Sequence, residues 1–289
     1  MRLSRLQCCK IQAIFKKVVT VSDKILPLGQ KTDYPKQYCP GVLFPISRDE
    51  SRVGFEHPPF DGVDIWNAWE LTWLGSSNRP SVATAEIRVP AMSPNLIESK
   101  SLKLYLNSFA MTQFDDERAV GAAITQDLSA TAGCDVEVVL RPVAETESSS
   151  PARLPGRCLD HLSIQCDHWD VDPAVLAADN NQVVQEALHT HLLRSLCPVT
   201  AQPDIGSLAV QYQGPKINEE SLLNYIVSFR EHSDFHEACI ERMFVDILAR
   251  CSPVKLTVYA RYQRRGGIDI NPFRSNFDLS PANLRLWRQ

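Results

Sequence analysis

Cys197 and Asp204 sit in the segment LCPVTAQPDIG and are the pair with the clearest chemistry. A hydrophobic run ends at Cys197, and Pro203 with Asp204 has turn-forming character, so the carboxylate can fold back towards the thiol. A thiol beside an acid is a nucleophile beside a proton acceptor. The same spacing also suits a buried structural cysteine next to a Pro-Asp turn. His236 falls in the first turn of an expected helix, where the macrodipole disfavours the imidazolium and leaves a neutral ring able to exchange a proton. Taken singly, it reads equally as a surface histidine.

Other groups carry weaker signals. Glu98 follows Asn95 by three residues and Glu237 follows Asp234 by three, the spacing of a capping box at a helix start. Cys158, His161, Cys166 and His168 have the residue types of a zinc site. If 162–166 form a strand, however, His161 and Cys166 face opposite sides, and Cys158 lies about 26 Å from Cys166 at about 3.3 Å per residue. In RYQRRGGIDINPFRSN, Arg261, Arg264, Arg265 and Arg274 surround a glycine pair, which suits a phosphate group or, equally, a solvated strand and loop. The sequence has no Gly-x-Gly-x-x-Gly after a strand, so a dinucleotide would be held without a Rossmann site.

The chain has 289 residues, 44% hydrophobic and 22% charged, the composition of one large or two smaller globular domains. No apolar run reaches the roughly 18 to 20 residues of a membrane-spanning helix. Thirty basic against 34 acidic residues argue against direct binding of nucleic acid. Nine cysteines in a chain of this length point to free thiols in a reducing, cytoplasmic compartment. The basic first residues, with Arg2, Arg5, Lys10, Lys16 and Lys17, read as an extension over 1–25 rather than a targeting leader, because Lys10 interrupts the apolar stretch.

An internal repeat organises the rest. SLKLYLNSF (101–109) matches SLLNYIVSF (221–229) at a spacing of 120, with flanking matches around Pro80 and Pro203 and between 135–140 and 255–260. A period this long, present twice, predicts a duplicated domain rather than a solenoid. Alternation predicts strand hairpins at 65–73 with 83–89 and at 184–196 with 208–212. Helical spacing follows in Leu102, Tyr105, Leu106 and Phe109, in Leu222, Tyr225, Ile226 and Phe229, and in Phe235, Cys239, Met243, Ile247 and Cys251. Strands near 134–142, 158–167 and 254–263 complete a strand, strand, helix, helix, strand, strand order. The fold class is α+β, with an antiparallel sheet and two helices per unit. The Ser/Pro-rich stretch 145–156 reads as a surface loop, and the units as 26–172 and 173–289.

ESKSLKLY (98–105), CPVTAQPDIGS (197–207), SFREHSDFHE (228–237) and RRGGIDINPFRSN (264–276) together resemble the 7-cyano-7-deazaguanine reductases of queuosine biosynthesis, in their long, duplicated form. The likeness runs from about residue 26 to the end. It implies tandem tunnelling-fold (T-fold) units, a homodimer, and reduction of a small-molecule nitrile by NADPH without metal or flavin. It gives Cys197 the role of nucleophile, forming a covalent thioimide, and Asp204 and His236 the proton transfers. Ile97, Glu98, Ser99, His236 and Glu237 would hold the substrate, and Ser99, Lys100, Arg265 and Gly266 the NADPH. Asn218 stands where Glu98 recurs, and no cysteine stands opposite Cys197 in the first half, so one chain would build one site from both halves. The alternatives are a metal-dependent pterin enzyme of the cyclohydrolase type, a non-catalytic purine-binding protein of the same fold, and a cysteine hydrolase acting on nitriles.

Overall fold

A computed structural model describes residues 34–52, 57–146, 151–166, 169–279 and 281–289. The basic extension 1–25 and His168 lie outside the described residues. The elements in chain order are β1 (Pro45–Ser47), β2 (Asp61–Leu74), β3 (Pro80–Pro90), β4 (Asn95–Ile97), α1 (Ser99–Asn107), α2 (Glu117–Ala132), β5 (Glu137–Pro142), α3 (Val143–Thr146) and β6 (Arg157–Cys158). They continue with β7 (Ala178–Leu196), β8 (Pro203–Ile217), α4 (Glu219–Ser228), α5 (His236–Cys251), β9 (Lys255–Tyr262) and β10 (Ile268–Ser275). Among the described residues this is a mixed α+β chain built on one large sheet with the strand order β5-β3-β2-β10-β9-β8-β7-β6. Its pairings are antiparallel except for β6 with β7. β1 pairs separately with β4, Pro45 opposite Ile97, and so fixes the entry to α1.

Alternation explains the sheet and helical spacing explains its cover. Ala83, Ala85, Ile87 and Val89 on β3 are buried on one face, against Leu102, Tyr105 and Phe109 of the α1 region and Val120, Ile124 and Leu128 of α2. Cys239, Met243, Ile247 and Cys251 of α5 pack with Leu222, Tyr225 and Ile226 of α4 over β7, β8 and β9. The helix α2 starts at Asp116, whose side chain accepts from Ala119 N at 2.8 Å, and ends at Gly133 with φ of 76°.

The two halves repeat one local arrangement. Tyr105 donates to Asp127 Oδ2 at 2.6 Å, and Tyr225 to Asp246 Oδ2 at 2.5 Å. Ser108 Oγ donates to Tyr105 O at 2.6 Å, and Ser228 Oγ to Tyr225 O at 2.7 Å. Phe109 and Phe229 meet these tyrosines edge-on, with ring centroids 5.1 and 5.4 Å apart.

A continuous seam joins the halves. β10 pairs with β2 from Ile268 opposite Ala68 to Ser275 opposite Asp61. At this seam Arg274 is wholly buried, with Nη1 at 2.7 Å from Asp64 Oδ1 and Nη2 at 2.8 Å from Glu241 Oε1. Arg48 reaches Asp64 at 2.5 Å, and Arg52 reaches Glu241 at 2.7 Å. Burial would raise the Asp64 carboxyl, but Arg274 and Arg48 outweigh it and hold the group below its ordinary value.

Three expectations change. The strand expected over 158–167 shrinks to Arg157–Cys158, which lies at the far edge of the sheet, parallel to β7. The Asp160 carboxylate ends it: Oδ1 accepts from His191 N at 3.0 Å and from Thr190 Oγ at 2.5 Å, so a side chain occupies the place of the next ladder acceptor. The 145–156 loop opens with helical turn, since α3 runs through Thr146. The arginine cluster divides: Arg274 lies on β10, which is buried throughout, while Arg264 in the β9–β10 turn is exposed and Arg265 partly so. Arg261 is buried too, donating to Tyr259 OH at 2.7 Å and to Asn283 Oδ1 at 2.9 Å.

Candidate active site

The β7–β8 hairpin sets out the thiol and the carboxylate. Ser195 stands opposite Asp204 and Leu196 opposite Pro203. Beyond them Cys197 N donates to Gln202 O at 2.9 Å, which makes Cys197 and Asp204 diagonal neighbours across the hairpin. Leu196 N donates to His232 O at 2.8 Å, and Asp234 N to Leu196 O at 3.1 Å. These two bonds tie the end of β7 to the chain leading into α5 and bring the first turn of that helix beside Cys197.

One narrow cleft collects the residues. Cys197, Asp204, His236, Glu237, Ile97, Glu98, Ser99 and Arg265 all line it, with Ile46, Leu96, Trp66, Ile268, Ile270 and Phe235 supplying apolar wall. Glu98 and Ile97 come from the β4–α1 junction, and Cys197, Asp204, His236 and Glu237 from the second half, so both halves contribute. Lys103 and Gln263 also line the cleft and escaped the sequence reading, and Phe235, read there only as part of a helical stripe, belongs to the cleft wall instead of serving the core alone. For Lys103 a signal was present: it lies four residues after Ser99, on the same helix face. Lys100 is not among the lining residues, and its backbone N–H serves as a cap donor.

Asp204 is nearly enclosed and takes two partners. Arg265 Nη1 donates to its Oδ1, and His236 Nε2 lies 3.5 Å from the same oxygen. Burial raises the Asp204 carboxyl, but the hydrogen bond and charge of His236 and the charge of Arg265 outweigh that and leave it below its ordinary value. It is therefore ionised at neutral pH, as a proton acceptor must be. The His236 ring stands edge-on to Tyr262, with centroids 4.1 Å apart, which fixes its plane.

The glutamates differ from the capping-box expectation. Glu98 is itself the N-cap of α1: Oε1 accepts from Lys100 N at 2.9 Å and Oε2 from Ser101 N at 2.6 Å. Asn95 belongs to β4 and donates to Thr131 O at 3.2 Å. Asn218, at the matching place in the second half, caps α4 through Ser221 N at 2.8 Å. At α5, Asp234 Oδ1 accepts from Phe235 N at 2.8 Å rather than capping the helix, and Glu237 is buried in the first turn. Burial, helped by the Asp64 charge, pushes the Glu237 carboxyl up to about 7 against the pull of His236 and Arg48.

Cationic groups stand at one side. Burial and the neighbouring Arg265 charge lower the Lys103 amine against the pull of Glu98, Asp204 and Cys197. Gly266 adopts φ of +60°, and a Cβ there would come within 3.2 Å of Lys103 Cδ, so the glycine lets the β9–β10 turn close onto that lysine. Of the four clustered arginines, Arg265 faces the cleft, while Arg264 lies over the Trp69 ring at 5.5 Å. Ser99, Lys103 and Arg265 therefore make a donor set that fits a phosphate-bearing cofactor beside the thiol.

The Cys158, His161, Cys166 and His168 pattern does not assemble among the described residues; Cys158 instead groups with His189 and His191. That group shares no lining residue with the Cys197 cleft. The seven described cysteines are all free thiols. No described helix is long and apolar enough to cross a membrane.

Two family models match. One, described as nitrile reductase, 7-cyano-7-deazaguanine-reductase N-term, covers residues 34–140, and the other, described as QueF-like protein, covers 203–280. A chain from the crystal structure of the archaeosine synthase QueF-Like in the apo form is 17% identical, covering 34% of this chain and 96% of that one, with a TM-score of 0.30; no argument rests on so limited a likeness. The NADPH-dependent 7-cyano-7-deazaguanine reductase of Chromobacterium violaceum is 49% identical over 268 residues, which span 91% of this chain and 96% of that protein. With that identity over almost the full length of both, and with both family models matched, this chain belongs to the NADPH-dependent 7-cyano-7-deazaguanine reductase family.

Proposed function

We propose that this chain reduces the nitrile of 7-cyano-7-deazaguanine to the primary amine of 7-aminomethyl-7-deazaguanine with two NADPH, in queuosine biosynthesis, through a thioimide on Cys197. The observation that carries the reading is the single cleft in which a free thiol, an ionised carboxylate and a histidine face two buried glutamates.

A nitrile carbon accepts hydride poorly, and covalent catalysis divides the difficulty. The Cys197 sulfur adds to the nitrile carbon as Asp204 takes the thiol proton, and a proton reaches the nitrogen, leaving a C=N thioimide. NADPH supplies two hydrides, one for each reduction. After the first, the C–S bond breaks and Cys197 leaves as thiolate; His236, beside Asp204, delivers protons to nitrogen as it becomes the amine. Glu98 and Glu237 accept from the N–H edge of the deazaguanine, and a ring lacking those donors would leave buried acceptors unpaired. Ile97 and Ser99 flank that edge. Ser99 and Lys100 on one side and Arg265 with Gly266 on the other hold the cofactor, with Lys103 added by its place in the cleft.

The same reading divides the chain into an extension (1–25), a first tunnelling-fold unit (26–172) and a second (173–289) carrying the nucleophile. The recurring Tyr–Asp, Ser–Tyr and Tyr–Phe contacts support duplication, as does the shared capping role of Glu98 and Asn218. A cytoplasmic homodimer completes the proposal. The test is stoichiometry: two NADPH oxidised per nitrile consumed, with the amine as product. Formation of acid or amide without NADPH oxidation would instead make this a hydrolase.

The elevated Glu237 carboxyl gives a pH signature. A protonated Glu237 no longer accepts from the substrate edge, so nitrile affinity without NADPH falls about tenfold from pH 8 to pH 6. Glu237→Gln binds more weakly and loses most of that slope in calorimetric titration. An unchanged slope in the variant removes Glu237 from substrate recognition.

A further inference from the structure

At the edge of the sheet, Cys158 on β6 stands opposite His189 on β7, and His191 follows two residues on, on the same face. The Cys158 sulfur and one ring nitrogen from each histidine lie within 4.8 Å of one another, and all three residues are half-buried. His189 Nδ1 lies 3.0 Å from Pro155 O, and a carbonyl oxygen only accepts, so Nδ1 carries the proton and Nε2 presents a lone pair. His191 Nδ1 lies 2.8 Å from Ser207 Oγ, an oxygen that also accepts from Arg288 Nη2 at 3.1 Å. Imidazoles oriented by an oxygen at one nitrogen are the usual ligands of metal sites, with the other nitrogen on the ion.

The donor set also selects the ion. A thiolate with two imidazoles suits zinc and other borderline transition metals, and disfavours magnesium or calcium. Tetrahedral zinc places N and S ligands about 3.3–3.7 Å apart, so the three atoms need approach by no more than about 1.5 Å. A cavity lined by Arg153, Leu154, Trp287 and Arg288 opens on the cluster and leaves room for a fourth ligand. His191 precedes Cys197 by six residues along β7, roughly 20 Å of strand, which keeps this cluster apart from the nitrile chemistry.

We propose that Cys158, His189 and His191 form a zinc site, with water as fourth ligand, that clips β6 to the edge of β7. Binding releases the Cys158 thiol proton to solvent and closes the chain between Cys158 and His189, so the ion stabilises the fold.

The full-length protein, stripped with chelator and titrated with Co²⁺ followed by Zn²⁺, tests this. One Co²⁺ per chain is expected, with a thiolate-to-cobalt charge-transfer band in the near ultraviolet that stoichiometric Zn²⁺ abolishes, and with a thermal midpoint raised by Zn²⁺. Cys158→Ser loses the band and the Zn²⁺-dependent shift, His189→Gln weakens Co²⁺ binding at least tenfold, and Cys197→Ala keeps both. Absence of the band in the unsubstituted chain, its survival in Cys158→Ser, or its loss in Cys197→Ala overturns the site. If metal removal abolishes nitrile-dependent NADPH oxidation, the site is not separate from the chemistry and the assignment fails in that respect.

Discussion

Replacing Cys197 with alanine is expected to abolish nitrile-dependent NADPH oxidation, a loss of about 10³-fold or more, because no other lining side chain supplies a comparable nucleophile to the cleft. Asp204 then has no thiol proton to take, and the nitrile keeps a carbon that accepts hydride poorly. The variant still binds the nitrile, since Glu98, Glu237 and the apolar wall are untouched, so the defect falls on turnover rather than on affinity. Stopped-flow absorbance for oxidation and calorimetry for binding separate the two. Retained turnover in the variant would remove Cys197 as the nucleophile.

Arg274→Met is expected to cost about 3–5 kcal/mol of stability, the range for breaking a buried ion pair while leaving its partners behind. Arg274 is fully enclosed and reaches Asp64 on β2 and Glu241 on α5, so its loss leaves both carboxylates with reduced compensation at the seam between the halves. Arg48 remains, at 2.5 Å from Asp64 and a longer 3.5 Å from Glu241, and Arg52 remains beside Glu241 alone, so Asp64 is left with one close cation where it had two. For a chain of 289 residues the loss corresponds to a thermal midpoint lower by about 5–8 °C. Denaturant unfolding with an unchanged slope measures it, and a change below about 1 kcal/mol would show that Arg48 and Arg52 suffice.

Local pattern made much of the sheet and its helices legible. Alternation in Ala83 to Val89 marked β3, and the spacing of Cys239, Met243, Ile247 and Cys251 marked the buried stripe of α5. Cys197 and Asp204 were readable because a short hairpin joins them, and Glu98 came into view through the repeat and the family resemblance. What escaped depended on pairings between distant segments. The Asp160 side chain reaches β7 some thirty residues on and ends β6, and no local rule announces that. Arg261 and Arg274 look like surface charge until β10 is seen between β2 and β9. The zinc-like pattern contained a suitable cysteine, Cys158, but the histidines gathered around it are His189 and His191, which share a face of a strand far along the chain. The capping-box spacing misled at Glu98 because the helix begins one residue after it, making that glutamate the cap.

The thiol–nitrile bond is the step on which the functional reading turns, and intact-protein mass spectrometry observes it directly. With saturating 7-cyano-7-deazaguanine and no NADPH, the chain is expected to gain the mass of one nitrile molecule, located to Cys197 by peptide mapping and absent from Cys197→Ala. An unmodified Cys197 under these conditions, in protein that turns over normally once NADPH is added, would contradict the account.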